Sequence, residues 1–206
     1  MQIKKFVLSP FQTNGYLLYE NGDAVFVDPG DDPAEVVNFI QSEGLNLTHI
    51  LITHMHSDHF YGAAKLAAAT GAQIMGGEGD AFLVESEIKD APRWGFPPLA
   101  DSFSFSPIAP GRHQFLGKAC DVLHTPGHTP GSLTFSFPEE SVAFVGDLIF
   151  FRNIGRTDFP GGDMDALLNS VRTQIFSLSD QTILYPGHER ETNVGDEKTY
   201  NSYFNR

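Results

Sequence analysis

The sequence predicts a mixed α/β protein in which two β-sheets pack together under a cover of helices. Three observations carry this. Short apolar runs bounded by turn residues recur in both halves of the chain, as strands do. Stretches with helical periodicity and cap residues are interspersed among them. A hydrophobic share of 41%, including 18 Phe in 206 residues, is enough for a sizeable core without disulfides. One domain spanning 1–206 is the expectation.

In chain order, Ile3 to Leu8 and Gly15 to Tyr19 read as strands joined through Thr13-Asn14-Gly15, and Ala24 to Val27 as a buried strand ending at Asp28-Pro29-Gly30. A helix follows, with Asp31 or Asp32 as its cap, Pro33 in its first turn, Val36, Val37 and Ile40 facing inward, and Gly44 closing it. Ile50 to Ile52 is a strand. The Ala-rich run from Phe60 is helical up to Gly71, Ala72 to Met75 is a strand, and Glu78 to Glu85 a short helix. Periodicity fails from Ser86 to Ala100, which reads as a long loop, either bordering a pocket or pinned to the surface by its aromatics. The second half is strand-rich: Phe103 and Phe105, His113 to Leu116, Ala119 to Leu123, Ser132 to Phe137, and Val142 to Val145. A helix from Met164 to Phe176, capped by Asp163, a strand from Thr182 to Tyr185, and a short closing helix from Gly195 complete the reading.

A net charge of −13 argues against a nucleic-acid partner, because phosphate binding needs a basic face. No apolar run approaches the roughly 18–20 residues of a membrane span, and no charged-then-apolar leader opens the chain. Cys120 is the single cysteine and has no internal partner, which suits a reducing compartment. These features predict a soluble, cytoplasmic protein. An anionic substrate remains compatible with the acidity where metal ions supply local positive charge.

The chemistry concentrates in Thr53-His54-Met55-His56-Ser57-Asp58-His59, where four potential ligands fall between positions 54 and 59. On a helix, residues two apart point about 200° apart. In an extended segment the same spacing puts His54 and His56 on one side, so the pair is expected at a strand end. Asp58 and His59 follow as the chain turns into the next helix. Imidazole and carboxylate are first-row metal ligands, and this grouping can serve two adjacent ions. Three later residues share one context, just past an apolar strand: His128 in Thr125-Pro126-Gly127-His128, Asp147 in Val145-Gly146-Asp147, and His188 in Tyr185-Pro186-Gly187-His188. Taken singly, each could be a hydrogen-bonded turn histidine or a capping Asp.

Together, in this order, Thr-His-x-His-x-Asp-His, Pro-Gly-His, Gly-Asp and Pro-Gly-His resemble the metallo-β-lactamase superfamily, from Asp28-Pro29-Gly30 to His188. Within it the chain is similar to the glyoxalase II-type hydrolases, especially short single-domain bacterial members carrying Gly-Arg-Thr-Asp-Phe-Pro-Gly-Gly, here Gly155 to Gly162. The resemblance implies a four-layer αβ/βα sandwich of two facing mixed sheets flanked by helices. It assigns His54, His56 and His128 to one metal ion, Asp58, His59 and His188 to a second, and Asp147 to both. Asp28 would orient the histidine loop. The expected cofactors are two divalent ions, zinc first, with iron or manganese as alternatives. His49, His113 and His124 match no ligand position and are expected to be structural or exposed.

The implied activity is hydrolysis of a thioester of the S-lactoylglutathione type by a hydroxide bridging the two ions, with Asp58 orienting the nucleophile. The implied partner is a small acyl thioester such as a glutathione conjugate. Where full-length glyoxalase II has Gly-Lys-x-Tyr, this chain has Gly155-Arg156-Thr157-Asp158. Arg156 keeps the cation and is the expected substrate-binding residue. The helical domain that helps hold glutathione in that enzyme has no counterpart in these 206 residues. The rival reading is a mononuclear iron persulfide dioxygenase sharing the same motifs, with His54, His128 and Asp147 as its triad. A β-lactam or phosphodiester hydrolase ranks lower, and a purely structural zinc site lowest, since such sites favour cysteine.

Overall fold

Strand β1 (Gln2–Leu8) pairs antiparallel with β2 (Thr13–Glu20), and β2 with β3 (Asp23–Val27), in a computed structural model that describes residues 1–99 and 103–205. Helix α1 (Ala34–Ser42) then carries the chain over, so that β4 (Asn46–Leu51) returns parallel to β3. Helices α2 (Ser57–Phe60) and α3 (Ala63–Thr70) lead to β5 (Gln73–Gly76). After α4 (Val84–Asp90), β6 (Ser106–Pro107) completes a mixed sheet ordered β1-β2-β3-β4-β5-β6. These elements make up one of two compact units, Met1–Ile108, the other being Ala109–Arg206.

In the first unit Leu17, Phe26, Ile50 and Ile74 stand in register across four strands. Val36 and Ile40 of α1 and Leu66 of α3 join them in one core cluster. Side chains alternate along a strand, so this row spends one face of the sheet on the helices. Strands β3, β4 and β5 all run the same way, and their C-terminal ends share an edge. Asp28, the histidine stretch and the turn after Gly76 therefore emerge together.

The second unit opens with four successive antiparallel strands, β7 (Gly111–Phe115), β8 (Lys118–His124), β9 (Leu133–Phe137) and β10 (Val142–Gly146). A hairpin of β11 (Ile149–Phe150) and β12 (Asn153–Ile154) follows, then α5 (Met164–Ser170). Strand β13 (Ile183–Pro186) lies parallel to β10, with β14 (Thr192–Asn193) at the edge before α6 (Val194–Tyr200). The sheet order is β14-β13-β10-β9-β8-β7. Two antiparallel steps make β8 and β10 co-directional, and β13 joins them, so the loops after all three leave the same edge. Ala143, Val145 and Leu184 pack with Leu167 of α5 and with Val171 and Ile175 just after it. On the opposite face Phe144 stacks on Tyr185, with ring centroids 5.2 Å apart.

Several expectations shift in detail. Asp163 caps α5 as expected, accepting the Ala166 N–H at 2.9 Å. The N-cap of α1 is instead Pro33, which has no side-chain acceptor, and Asp32 just before it accepts the Ala34 N–H at 3.0 Å. The helix from Met164 is α-helical only to Ser170 and widens to a π-turn over Val171–Ile175. Leu167, Val171 and Ile175 are spaced four apart, which drifts around an α-helix, and the wider turn offsets that drift and keeps all three in the core. Part of the expected loop from Ser86 to Ala100 is helical: α4 spans Val84–Asp90, and a 3₁₀ turn spans Ala91–Trp94. None of the residues of α4 is fully buried, and a single apolar pair, Val84 and Ile88, packs on the core, too short a face to show as periodicity. Ala100 lies outside the described residues. Phe103 and Phe105 are not strand residues but pack on the core of the first unit, Phe103 against Phe60 at 4.5 Å. No helix among the described residues is long and apolar enough to cross a membrane.

Phe26 is fully buried at the centre of its row. Phe26→Ala is expected to cost about 3–5 kcal/mol, read as a lower denaturant midpoint in equilibrium unfolding. Burial also pushes the Cys120 thiol up to about 12. Native protein at neutral pH should therefore resist alkylation at Cys120 until it unfolds, and rapid labelling without denaturant would contradict that placement.

Candidate functional site

In the first unit the chain leaves β4 extended, and His56 keeps φ −83° and ψ 144° as it caps α2. The rings of His54 and His56 lie 4.9 Å apart and nearly perpendicular, and those of His54 and His59 4.0 Å apart. The spacing therefore brings His54 and His56 to one side of an extended segment, as read. Asp58 Oδ2 is 3.6 Å from His59 Nε2 and accepts a 2.7 Å hydrogen bond from the Thr13 hydroxyl.

Asp28 organises this cluster. It sits just past β3 with φ 56°, a left-handed conformation that Asp tolerates, and its N–H donates to the Leu51 carbonyl at 3.0 Å. Its carboxylate accepts the Thr53 N–H at 2.8 Å, the Thr53 hydroxyl at 2.7 Å and His59 Nδ1 at 2.9 Å. Because the Thr53 hydroxyl gives its proton to Asp28, its oxygen is left to accept from His54 Nδ1, 3.1 Å away. Both imidazoles are thus held in the tautomer whose lone pair is on Nε2. Gly30 completes the fit, since a Cβ there would run into the Asp58 carbonyl.

The second unit places His128, Asp147 and His188 in the loops after β8, β10 and β13. Asp147 Oδ2 lies 3.7 Å from His128 Nε2 and 3.4 Å from His188 Nε2, between the two rings. His128 Nδ1 donates to the Arg156 carbonyl at 2.7 Å, which again puts the lone pair on Nε2. Gly155 packs so tightly that a Cβ would meet the Asp147 carbonyl. The Gly187 N–H donates to the Gly146 carbonyl at 2.9 Å and ties the last loop to the β10 end.

Arg156, the expected substrate-binding cation, is exposed, and its guanidinium makes two hydrogen bonds of 2.7 and 2.6 Å to Asp158. It also lies 3.8 Å over the Phe159 ring. The pairing holds the Asp158 carboxyl down to about 2 and raises Arg156. The contacts that sequence reading missed include the Thr13 hydroxyl on Asp58 and the Arg156 carbonyl on His128. Neither leaves a trace in the sequence: Thr13 reads as a turn residue, and any residue supplies a carbonyl. The histidines outside the motifs bond locally, His113 Nε2 to the Ala109 carbonyl at 2.8 Å, His124 Nε2 to that of Pro130 at 2.9 Å, and His49 Nδ1 with the Thr48 hydroxyl at 3.0 Å.

The donor set in both units fits divalent first-row cations: the imidazoles of His54, His59 and His128 have Nδ1 anchored and Nε2 presented, beside carboxylate oxygens. The sequence profile of the Metallo-beta-lactamase superfamily matches residues 8–188. The chain belongs to that superfamily. Among its members it is 38% identical to the hydroxyacylglutathione hydrolase GloC of Haemophilus influenzae, over 100% of this chain and 99% of that protein. The crystal structure of the B3 metallo-beta-lactamase BLEG-1 matches with a TM-score of 0.91 at 30% identity, covering 100% of both chains. That of TTHA1623 in a di-iron-bound form matches with a TM-score of 0.88 at 34% identity, covering 97% of this chain and 99% of that one. The superfamily fold expected from the motifs is thereby established.

Since Asp28 sets the tautomer of two histidines, Asp28→Ala is expected to weaken metal binding about 10–100-fold. Titration of metal-stripped protein against a competing chelator measures this, and an unchanged affinity would show that Asp28 serves folding alone.

Proposed function

We propose that the chain is a metal-dependent hydrolase that cleaves acyl thioesters of the S-lactoylglutathione type. The observation that carries the reading is the full-length, 38% identity to a hydroxyacylglutathione hydrolase. It is supported by a donor set in which every anchored histidine presents Nε2. In this reading His54, His56 and His128 hold one ion, Asp58, His59 and His188 a second, and Asp147 is shared. Zinc suits these ligands, and the di-iron form of TTHA1623 supports both a two-ion count and iron as the alternative.

Bound divalent cations polarise an acyl oxygen and bring the pKa of water close to neutrality. The chain's own residues do the rest. Asp58, fixed by the Thr13 hydroxyl, orients the attacking water. Asp28 and the Arg156 carbonyl keep the imidazoles from rotating. Water adds to the thioester carbonyl carbon, the C–S bond breaks, and the sulfur leaves with the electron pair as a thiolate. A thiol pKa near 8.5 makes that leaving group stable without a general acid. Cys120, buried and protonated, takes no part.

Metal analysis of freshly purified protein together with a thioester assay tests the reading. About two ions per chain are expected for a two-metal site, with thioester hydrolysis and no oxygen uptake on glutathione persulfide. His59→Ala should halve the metal content and cut hydrolysis at least about a hundredfold, in the range seen when charge-stabilising groups are lost. Asp147→Ala should remove most of the metal, whereas His113→Ala should change neither metal nor turnover. One iron per chain with persulfide-dependent oxygen consumption would replace the hydrolase by the dioxygenase. Arg156→Ala should raise KM for glutathione thioesters more than it lowers kcat, by about 1.5–3 kcal/mol. An unchanged KM would leave the guanidinium as the partner of Asp158 alone.

A further inference from the structure

Along residues 53 to 58 the even and odd positions do different work. His54, His56 and Asp58 carry the proposed donors. The odd residues present their N–H groups to acids from elsewhere in the same unit. Thr53 donates to Asp28 at 2.8 Å, Met55 to Asp80 Oδ2 at 3.1 Å, and Ser57 to Glu87 Oε2 at 2.8 Å. Asp80 is fully buried and ends the 3₁₀ turn Glu78–Asp80, while Glu87 belongs to α4. Both follow β5, beside the β4 end that delivers the histidines. Met55 is itself fully buried, its tip against Gly76, so the loop is gripped at side chain and backbone alike.

We propose that Asp80 and Glu87 are positioning residues of the metal centre, holding the extended histidine stretch and the start of α2 in place and favouring a cation there through their charge. This rests on the metal-binding reading above. The extended stretch leaves the Thr53 and Met55 N–H groups to be met from outside, and α2 leaves its first N–H, that of Ser57, to be met likewise. A neutral acceptor could meet that need, yet both positions use carboxylates, which accept more strongly. Burying a charge is costly unless it is offset. Asp28, Asp58, Asp80 and Glu87 bring four acids around one short loop in a chain of net charge −13. Cations at the donors relieve that crowding, so loop order and metal binding become one equilibrium.

The test uses the full chain, metal-stripped, titrated with Zn²⁺ against a chromogenic chelator, with thermal unfolding of stripped and reloaded protein. Asp80→Ala and Glu87→Ala are expected to weaken Zn²⁺ binding at least about tenfold, as for other residues that support metal ligands. Asp80→Asn and Glu87→Gln keep an oxygen acceptor without the charge and should fall between these and wild type. The Tm gained on reloading should shrink in the same order. If the variants lower the Tm of stripped and loaded protein equally while Zn²⁺ affinity stays unchanged, the two acids serve folding only and the inference is overturned. Absence of Zn²⁺ binding by wild type would instead overturn the metal-centre reading itself.

Discussion

The three hydrogen bonds accepted by Asp28 are the constraint on which the first unit's cluster depends. A histidine contributes to a metal site only in one tautomer and one rotamer, and neither is set by the imidazole itself. Here one carboxylate sets both, directly for His59 and through the Thr53 hydroxyl for His54. Asp28 can do this because β3 and β4 are parallel neighbours, with Val27 in register with Leu51, so that the two chain ends leave the sheet side by side. The left-handed turn at Asp28 then aims its carboxylate back across the end of β4. The second unit solves the same problem with a main-chain group, the Arg156 carbonyl on His128.

The topology of each sheet serves these contacts. Three co-directional strands in each unit deliver their loops to one edge, where residues far apart in the chain become neighbours: Asp28 with His59, and His128 with Asp147 and His188. The close approaches at Gly30 and Gly155 bring backbone to backbone beneath Asp58 and Asp147, where any side chain would push the carboxylate-bearing residue away.

Much of this was legible in the sequence, because the motifs obey local rules. Two histidines at spacing two belong to an extended segment, and an apolar run followed by Gly and a polar residue is a strand delivering a side chain. The cap Asp163 was legible for the same reason. What escaped was set by tertiary contact. Thr13 meets Asp58 across 45 residues, and Asp80 meets Met55 across 25, with no local pattern to announce either. Helix α4 escaped because only Val84 and Ile88 along it meet the core, and both are only partly buried, so its apolar face is too short to read. The π-turn over Val171–Ile175 answers to packing on the sheet rather than to intrinsic preference.

The division of labour along residues 53 to 58 also bears on how such a site can change over time. The path of the loop is set through N–H groups, which every residue except proline provides. Exchanging a side chain at an even position leaves those three N–H bonds in place. Along this stretch the imidazole and carboxylate side chains and the anchored N–H groups belong to alternate residues, so the side-chain chemistry can be varied while those anchors are held.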